Sequence, residues 1–260
     1  MVTIKILGVE VTDATKEEAL EFIVKGLEKH GKKLSIFTPN PEIIMHSTRD
    51  ERFKQILNSA DLALADGVGV KLAGRLLGKP LKERITGVDF MLALCERAAK
   101  EGFTVGLMGG GPKIAERTAE CLLQKYPKLK IVYVAEEWRK DGFVRAGEVR
   151  SMKYEVREEK IQNSIDILFV ALGYPKQEEW IYENLPKIPV KVAMVVGGSF
   201  DYISGAISRA PLFVRNAGLE WLFRLLRQPW RIRRQLALAK FFFLVLKERF
   251  FPQNKIDTFE

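Results

Sequence analysis

Histidine and cysteine are scarce in this 260-residue chain, which contains two of each. Neither His30 nor His46 has a partner at metal-ligand spacing, so we expect neither a histidine-based zinc site nor a Ser-His-Asp triad. Cys95 and Cys121 form no CxxC pair, and both fall in apolar patterns of helical period. We therefore expect buried free thiols in a reducing compartment and no disulfide framework.

Long apolar segments are also absent. The N-terminal MVTIKILGVEV has no basic segment followed by a long apolar core, so no signal peptide is expected. The run at residues 236–246 is interrupted by Lys240 and is too short for a bilayer-spanning helix, which needs about 20 apolar residues. With 47% hydrophobic and 29% charged residues, the composition is that of a soluble globular protein with a sizeable core.

The net charge of +9 is concentrated near the C-terminus. Residues 209–255 contain eleven Lys or Arg and two Glu, a net charge of +9, whereas residues 1–208 are nearly balanced. Such clustering predicts a partner surface in this segment. Basic residues beside Trp, Phe and Leu favour a helix lying in an anionic membrane interface. The alternative is an amphipathic helix pair that packs on the core or on a second subunit.

Short apolar runs alternate with helical patterns along most of the chain. This alternation predicts a Rossmann-like α/β fold, with a mostly parallel sheet covered by helices on both faces. Residues 2–12 alternate around Gly8 and predict a small β-hairpin. We place a main α/β domain at residues 1–205 and a basic helical appendage at residues 206–260. The charged stretch 139–163 reads as a loop with an exposed helix.

Polar residues at the ends of two predicted strands mark a candidate site. Thr38 follows the run 34–37 and precedes a proline, and Asp66 follows the run 61–65 and precedes a glycine. Arg84 lies in a nearby loop. Ligands of open α/β sheets bind outside the carboxyl ends of the strands, so these side chains could hold a substrate between them. Ordinary turn residues and a solvated surface arginine are the alternative.

Glycine-rich loops follow further predicted strands. Gly109, Gly110 and Gly111 stand between a strand and a helix, where backbone N–H groups can cradle a phosphate, although a plain tight turn is equally consistent. The spacing is neither GxGxxG nor that of a P-loop. Gly197 and Gly198 would let the backbone approach a ligand closely. Gln177 follows another strand end, where its amide could recognise a polar group.

Eight motifs occur in a characteristic order. They are KILGVEV, TPNPE, LADGVGV, RITGVD, GGGP, LGYPKQE, VGGSFD and SRAPLFVRNAGLEWLFRLLRQPWRIRR. Through them, about residues 3–235 resemble the WecG/TagA/CpsF family of bacterial glycosyltransferases. The resemblance implies transfer of N-acetylmannosamine, its uronic acid or another hexose from a UDP-sugar to N-acetylglucosamine on polyprenyl diphosphate, as in wall teichoic acid linkage-unit synthesis.

The same resemblance implies roles for individual residues. Asp66 would be the general base of an inverting transfer, taking the proton of the acceptor 4-hydroxyl. Thr38 and Asn40 would contact the sugars, and Arg84 would bind phosphate. The implied contacts to donor or acceptor also include Gln177 and the glycines at 109–111 and 197–198. Arg224, Arg231 and Arg234 of the appendage would close over the site and offset the charge of the departing UDP.

No cofactor and no metal ion are implied by the resemblance, and the chain lacks an obvious Asp-x-Asp motif. Its expected partners are a UDP-sugar, a polyprenyl-diphosphate-linked acceptor and an anionic membrane surface, with a homo-oligomer also open and no nucleic acid. The expected location is the cytoplasmic face of the cell membrane, with peripheral attachment.

Two functions of other classes compete with this interpretation. The strand–glycine–helix arrangement, with Glu136 and Glu137 about 25 residues further on, prompts a nucleotide-dependent oxidoreductase. Its glycine spacing is wrong for that class. The basic C-terminal segment prompts a non-enzymatic nucleic-acid or membrane-binding module. That alternative leaves the balanced first 208 residues unexplained.

Overall fold

A computed structural model describes residues 1–28, 32–138, 164–227 and 232–251, without the side chains of Asn216, Arg224 and residues 232–236. Two short strands, β1 (Thr3–Ile6) and β2 (Val9–Thr12), pair antiparallel and confirm the predicted hairpin. Helix α1 (Lys16–Glu28) follows a capping box, in which Thr15 Oγ1 accepts from the Glu18 N–H and Glu18 Oε2 accepts from the Thr15 N–H.

Strands and helices then alternate as predicted. The main-sheet strands are β3 (Leu34–Phe37), β4 (Leu62–Ala63), β5 (Thr104–Gly109), β6 (Lys130–Ala135), β7 (Ile165–Ala171) and β8 (Val190–Val195). The helices between or directly after them are α2 (Pro41–Ser47), α3 (Glu51–Asn58), α4 (Val68–Leu76), α5 (Gly87–Glu101), α6 (Ile114–Lys125), α7 (Lys176–Asn184) and α8 (Ser199–Ile203). The C-terminal helices are α9 (Leu212–Asn216), α10 (Glu220–Arg227) and α11 (Ile232–Phe250).

The main sheet is parallel wherever the structure describes it, with strand order β4-β3-β8-β7-β5-β6. Alternate strand residues point into two hydrophobic clusters, one on each face of the sheet. The hairpin and helices α2, α3, α4, α7 and α11 cover one face, and α1, α5, α6 and α8 cover the other. The predicted α/β class is therefore confirmed.

The order of the strands opens a crevice at the carboxyl edge of the sheet. Helix α6 carries the chain from β5 outward to β6, whereas α7 carries it from β7 in the opposite direction to β8. These two helices lie on opposite faces. The loops after β5 and β7 therefore diverge, which is where ligands bind in open α/β sheets.

The C-terminal segment is helical, as predicted, and its last helix joins the core. Phe241 and Val245 of α11 are fully buried in the cluster that the hairpin covers. The boundary between residues 205 and 206 stays a prediction. Among the described residues, no helix is both long and apolar enough to cross a bilayer. The stretch 139–163 lies outside the described residues.

The two cysteines differ in burial. Both are free, and Cys95 is fully buried in α5, which confirms the expectation there. Cys121 is only partly buried on α6, so a fully buried thiol at this position was a wrong prediction. Position 121 lies on the flank of its helix, beside the buried stripe formed by Ala115, Ala119 and Leu122.

Candidate active site

Three loops at the carboxyl edge are tied together by backbone hydrogen bonds. The Leu64 N–H donates to the Phe37 carbonyl at 2.8 Å, and the Asp66 N–H donates to the Pro39 carbonyl at 3.2 Å. The Ile85 N–H donates to the Ala65 carbonyl at 3.1 Å. These bonds bring the loops that carry Thr38, Asp66 and Arg84 side by side, although the residues are far apart in sequence.

A cavity of about 800 Å³ opens at this edge. Its wall contains most of the side chains that the sequence predicts for the site, namely Thr38, Asn40, Asp66, Arg84 and Gln177. The wall also includes the backbone of Gly110, Gly111, Gly197 and Gly198. The structure therefore brings these predicted positions together, and a cavity of this size can hold a small-molecule ligand.

Asp66 is the titratable group of greatest interest in the cavity. Its carboxyl is partly buried, and burial away from water raises its pKa to about 7. The negative charge of Glu220 adds to this rise, and the positive charge of Arg84 opposes it. A carboxyl with this pKa exists in both protonation states near neutral pH, which suits a general base.

Thr38, Asn40 and Arg84 line the same cavity as this carboxyl. The Oδ1 atom of Asn40 accepts from the Glu42 and Ile43 N–H groups and caps α2, which fixes the orientation of its amide. The guanidinium of Arg84 donates to the Arg215 carbonyl at 3.2 Å. Arg84 therefore also links the sheet edge to α9.

The side chain of Gln177 is held in place by a hydrogen bond to a buried neighbour. Its Oε1 atom accepts from the Gly197 N–H at 3.2 Å, and its Nε2 atom donates to Glu178 Oε1 at 3.0 Å. Glu178 is fully buried, and its Oε2 atom has no hydrogen-bond partner among the described residues. Gln177 thus positions the loop after β8, and any contact of its amide with a ligand stays a prediction.

The buried Glu178 makes the stability of the protein depend on pH. Burial raises its pKa from 4.5 to about 7, so the folded state retains a proton that the unfolded state has lost. The associated stability is complete below pH 4.5 and is lost as the pH rises through about 7. We expect the free energy of unfolding to fall by ~2 kcal/mol more in wild type than in Glu178→Gln between pH 5 and 8.

Urea unfolding of both proteins at several pH values measures this difference. Glu183→Gln is the matched control, because Glu183 lies on the same helix with a half-exposed side chain. Its free energy of unfolding should change with pH as that of the wild type does. If the free energy of unfolding depended on pH equally in wild type and in Glu178→Gln, Glu178 would not be the source of this pH dependence.

The glycines after β5 have different surroundings. Gly110 and Gly111 line the cavity, but Gly109 does not. Gly109 has φ of +101°, and a Cβ there would lie 2.5 Å from the Ala171 carbonyl oxygen. Only glycine fits this position, because β5 and β7 approach closely at their ends. A ligand contact from Gly109 stays a prediction.

A charged network near the cavity was not predicted from the sequence. Arg209 donates two hydrogen bonds to the carboxylate of Asp89, at 2.6 and 2.7 Å, and one from Nε to Glu220 Oε1 at 3.2 Å. Thr86 donates to Asp89 Oδ2 at 2.6 Å. We call Thr86, Asp89, Arg209 and Glu220 the arginine latch, since they fasten α10 to the start of α5.

The latch changes the ionisation of its members. Burial would raise the pKa of Asp89, but the hydrogen bonds from Arg209 and Thr86 outweigh it and lower the pKa to about 2. Asp89 therefore stays ionised near neutral pH. The sequence carried a local signal here, because Thr86-x-x-Asp89 has capping-box spacing. No local signal connects Asp89 with Arg209, which lies 120 residues away.

The structure does not describe the side chains of the three predicted appendage arginines. Arg231 lies outside the described residues. Arg224 and Arg234 belong to α10 and α11, but their side chains lie outside the described part of the structure. Their predicted roles stay predictions. In the described ranges, no group of three or more His, Cys, Asp or Glu is placed to hold a metal ion, and metal independence likewise stays a prediction.

Comparison with known proteins places the chain among glycosyltransferases. A model of the Glycosyl transferase WecG/TagA/CpsF family matches residues 4–255. Three similar proteins are named N-acetylglucosaminyldiphosphoundecaprenol N-acetyl-beta-D-mannosaminyltransferase. The Bacillus spizizenii protein is 37% identical over 82% of this chain and 78% of its own length. The Bacillus subtilis strain 168 protein is 34% identical over 89% of this chain and 90% of its own.

The third relative, from Staphylococcus aureus strain MRSA252, is 30% identical over 95% of this chain and 93% of its own length. The family match covers nearly the whole chain, including the sheet edge with its cavity and helices α9 to α11. The chain therefore belongs to the WecG/TagA/CpsF family of glycosyltransferases.

Proposed function

We propose that this protein transfers N-acetylmannosamine from a UDP-linked donor to the 4-hydroxyl of N-acetylglucosamine on undecaprenyl diphosphate. The product is a linkage unit of wall teichoic acid or of a related surface polysaccharide. The observation that carries the proposal is Asp66, a carboxyl with a pKa raised to about 7 on the wall of a ligand-sized cavity. The names of the three relatives support the choice of donor sugar and acceptor.

The reaction is a single displacement with inversion at the anomeric carbon. The relatives' names specify a β-linked product, and an α-linked nucleotide sugar gives that product by direct attack from the opposite face. The acceptor oxygen forms a bond to the anomeric carbon while the bond from that carbon to UDP breaks. Asp66 takes the hydroxyl proton, so the nucleophile gains negative charge as the transition state forms.

The leaving UDP carries the negative charge that the reaction releases. Arg84 on the cavity wall provides a guanidinium for a phosphate group. The backbone of Gly110 and Gly111, just before α6, and of Gly197 and Gly198, just before α8, supplies further polar contacts. Arg224, Arg231 and Arg234 would add positive charge from the appendage. Arg224 belongs to α10, and two other α10 residues, Glu220 and Trp221, line the cavity.

A transfer assay tests the proposal directly. UDP-N-acetylmannosamine is incubated with a short-chain lipid-diphosphate-N-acetylglucosamine, and the disaccharide lipid is detected by mass spectrometry. UDP-N-acetylmannosaminuronic acid and other UDP-hexoses serve as competing donors, and one arm contains EDTA. We expect disaccharide from the first donor, undiminished by EDTA. Absence of transfer from every UDP-sugar would overturn the proposal, and tight NAD binding by calorimetry would then favour the oxidoreductase alternative.

Peripheral attachment to an anionic membrane is part of the proposal. Leu212 and Phe213 on α9 and Leu226 on α10 are largely exposed, and they belong to the segment with a net charge of +9. Exposed apolar side chains beside clustered basic residues bind anionic bilayer surfaces. Attachment there would place the cavity beside an acceptor whose lipid is held in the membrane.

We expect Leu212→Gln/Phe213→Gln to reduce binding to anionic vesicles several-fold, because two exposed apolar anchors are lost. Vesicle flotation with phosphatidylglycerol-rich and purely phosphatidylcholine vesicles measures this. The control is Tyr182→Gln, which removes an exposed aromatic side chain from α7, outside the basic segment. Equal flotation of the double variant and wild type would show that α9 does not contact the membrane.

A further inference from the structure

Two helices beside the cavity run next to each other in the same direction. Near their N-termini, a Cβ added to Gly69 of α4 would lie 3.4 Å from a methyl group of Leu238 in α11. Near their C-termini, Arg249 of α11 donates to the Leu77 carbonyl at the end of α4 at 3.4 Å. The two helices therefore border a common surface from the cavity outward.

Apolar side chains on this surface remain exposed. Val68 and Leu72 on α4 are 39% and 41% exposed, and Leu246 on α11 is 40% exposed. Phe242 lies one turn before Leu246 and is partly buried against the core. We call the surface formed by Val68, Leu72, Phe242 and Leu246 the α4–α11 groove.

The groove begins inside the cavity. Val68, Leu72, Leu238 and Phe242 line the same cavity as Asp66 and the other polar site residues. Leu246 does not line it, and it continues the spacing of Leu238 and Phe242 by one further turn. Leu246 lies eight positions after Leu238 in the helix, so this apolar track is ~12 Å long.

We propose that the α4–α11 groove binds the first isoprene units of the acceptor's polyprenyl chain, an inference that rests on the proposed function. The acceptor joins a polar sugar diphosphate to a long apolar chain. The cavity likewise has a polar part, which includes Asp66 and Arg84, and an apolar part, which continues outward as the groove. Each hydrocarbon group removed from water in the groove adds favourable binding free energy.

The position of the groove favours this occupant over a membrane surface or another protein. A bilayer or a protein partner could contact the outer residue Leu246, but Leu72 and Phe242 also face the cavity that receives the sugar. A ligand that occupies both must extend out of the cavity as a single flexible chain. The groove would then also set the direction in which the acceptor diphosphate leaves the site.

The test uses full-length protein without membranes or detergent. Two acceptors carry N-acetylglucosamine diphosphate on either a farnesyl chain or a short alkyl chain, each below its micelle concentration. For wild type we expect an acceptor KM at least tenfold lower with the farnesyl chain. Leu72→Gln and Leu246→Gln should each raise the farnesyl acceptor's KM ~5-fold. Because Leu246 does not line the cavity, Leu246→Gln should leave kcat, the donor KM and the short-chain acceptor's KM unchanged.

Phe243→Gln is the matched control. Phe243 lies on α11 directly after Phe242, is 67% exposed and does not line the cavity. Consecutive helical residues point ~100° apart, so this change removes exposed apolar area on another side of the helix. Glutamine is a good helix former, and circular dichroism confirms folding of all three variants. Wild-type kinetics for Phe243→Gln would support the groove.

Several results overturn the inference. A wild-type KM that is independent of chain length would show that the chain is not bound. An equal rise in the KM of both acceptors in Leu246→Gln, or an equal rise in the farnesyl acceptor's KM in Phe243→Gln, would show a structural or nonspecific apolar effect. Absence of transfer to either acceptor by wild type would instead refute the proposed function, and the groove assignment would fall with it.

Discussion

Asp66→Asn should lower kcat about a thousandfold and leave the KM values of donor and acceptor within about threefold. Asparagine keeps the shape of the side chain but cannot take the proton of the acceptor hydroxyl. The Asp66 side chain lies on the wall of the cavity, and the backbone at this position is held by the Pro39 carbonyl. Steady-state transfer kinetics measure the decrease in kcat, which should result from a slower chemical step.

The pH dependence of the same reaction tests the assignment independently. Wild-type kcat/KM should rise as Asp66 loses its proton near pH 7 and should level off above that pH. The residual activity of Asp66→Asn should lack this rise. An unchanged pH profile in the variant would assign the proton acceptor to another residue.

The Asp66→Asn protein should also be more stable than wild type at pH 8. The folded-state pKa of Asp66 lies above its ordinary value of 3.8, so its contribution to stability is lost as the pH rises through about 7. Asparagine has no charge to desolvate, and because the carboxyl is only partly buried we expect a gain of ~2 kcal/mol. Loss of activity with a gain in stability would exclude misfolding as the cause.

Asp50→Asn is the control for a carboxylate-to-amide change. Asp50 caps α3 through the Phe53 N–H and does not line the cavity. Asparagine caps a helix as well as aspartate does, so neither stability nor activity should change. Turnover of Asp66→Asn at the level of this control would remove Asp66 from the mechanism.

Arg209→Met should lower kcat/KM about a hundredfold and destabilise the protein by ~2 kcal/mol. The guanidinium is 16% exposed and makes three hydrogen bonds to Asp89 and Glu220. Its removal takes the guanidinium away from two carboxylates, which is costly in a partly buried site. The cost stays below that of a fully buried pair, because Asp89 is half-exposed and still has Arg215 Nη1 at 3.8 Å. The segment with Glu220 and Trp221 would lose its anchor at the cavity.

Arg209→Lys separates charge from geometry. Lysine restores the positive charge but cannot make the two parallel hydrogen bonds to Asp89, so recovery of activity should be partial. The positive charge of Arg209 lowers the pKa of Asp66 in the wild type. In Arg209→Met this effect is lost, so the rise of kcat/KM with pH should move to higher pH. Thermal unfolding and pH profiles of the three proteins measure both effects.

The matched control is Arg52→Met. Arg52 pairs with Glu183 at 2.9 Å, but both side chains are more than half exposed. Water screens such a pair, so its loss should change stability by less than ~1 kcal/mol and leave transfer unaffected. If Arg209→Met behaved like Arg52→Met, the arginine latch would be an ordinary surface contact.

Local patterns in the sequence were sufficient to predict most of the secondary structure. The start of α2 (Pro41–Ser47) is an example, since a proline at the first position and an asparagine cap define it. The capping box at Thr15 and Glu18 is a second example. These features depend on backbone geometry within one helical turn, so neighbouring residues are enough to specify them.

The sequence also predicted which strand ends lie together at the candidate site. Thr38 and Asp66 follow β3 and β4, and parallel strands bring their carboxyl ends to one edge of the sheet. Most of the predicted site positions for which the structure describes side chains line one cavity there. The alternation of strands and helices was enough for this, because it dictates parallel pairing.

Only the tertiary structure decided the chemistry at that edge. The pKa of Asp66 depends on burial and on Glu220, a residue 154 positions later in the chain. The pairing of Asp89 with Arg209 and the groove between α4 and α11 likewise join distant segments. Desolvation and charge interactions depend on distance in space, which local sequence patterns do not contain. The sequence by itself therefore determined the fold class and the edge that carries the site, and the packing of the C-terminal helices decided the environment of its carboxyl group.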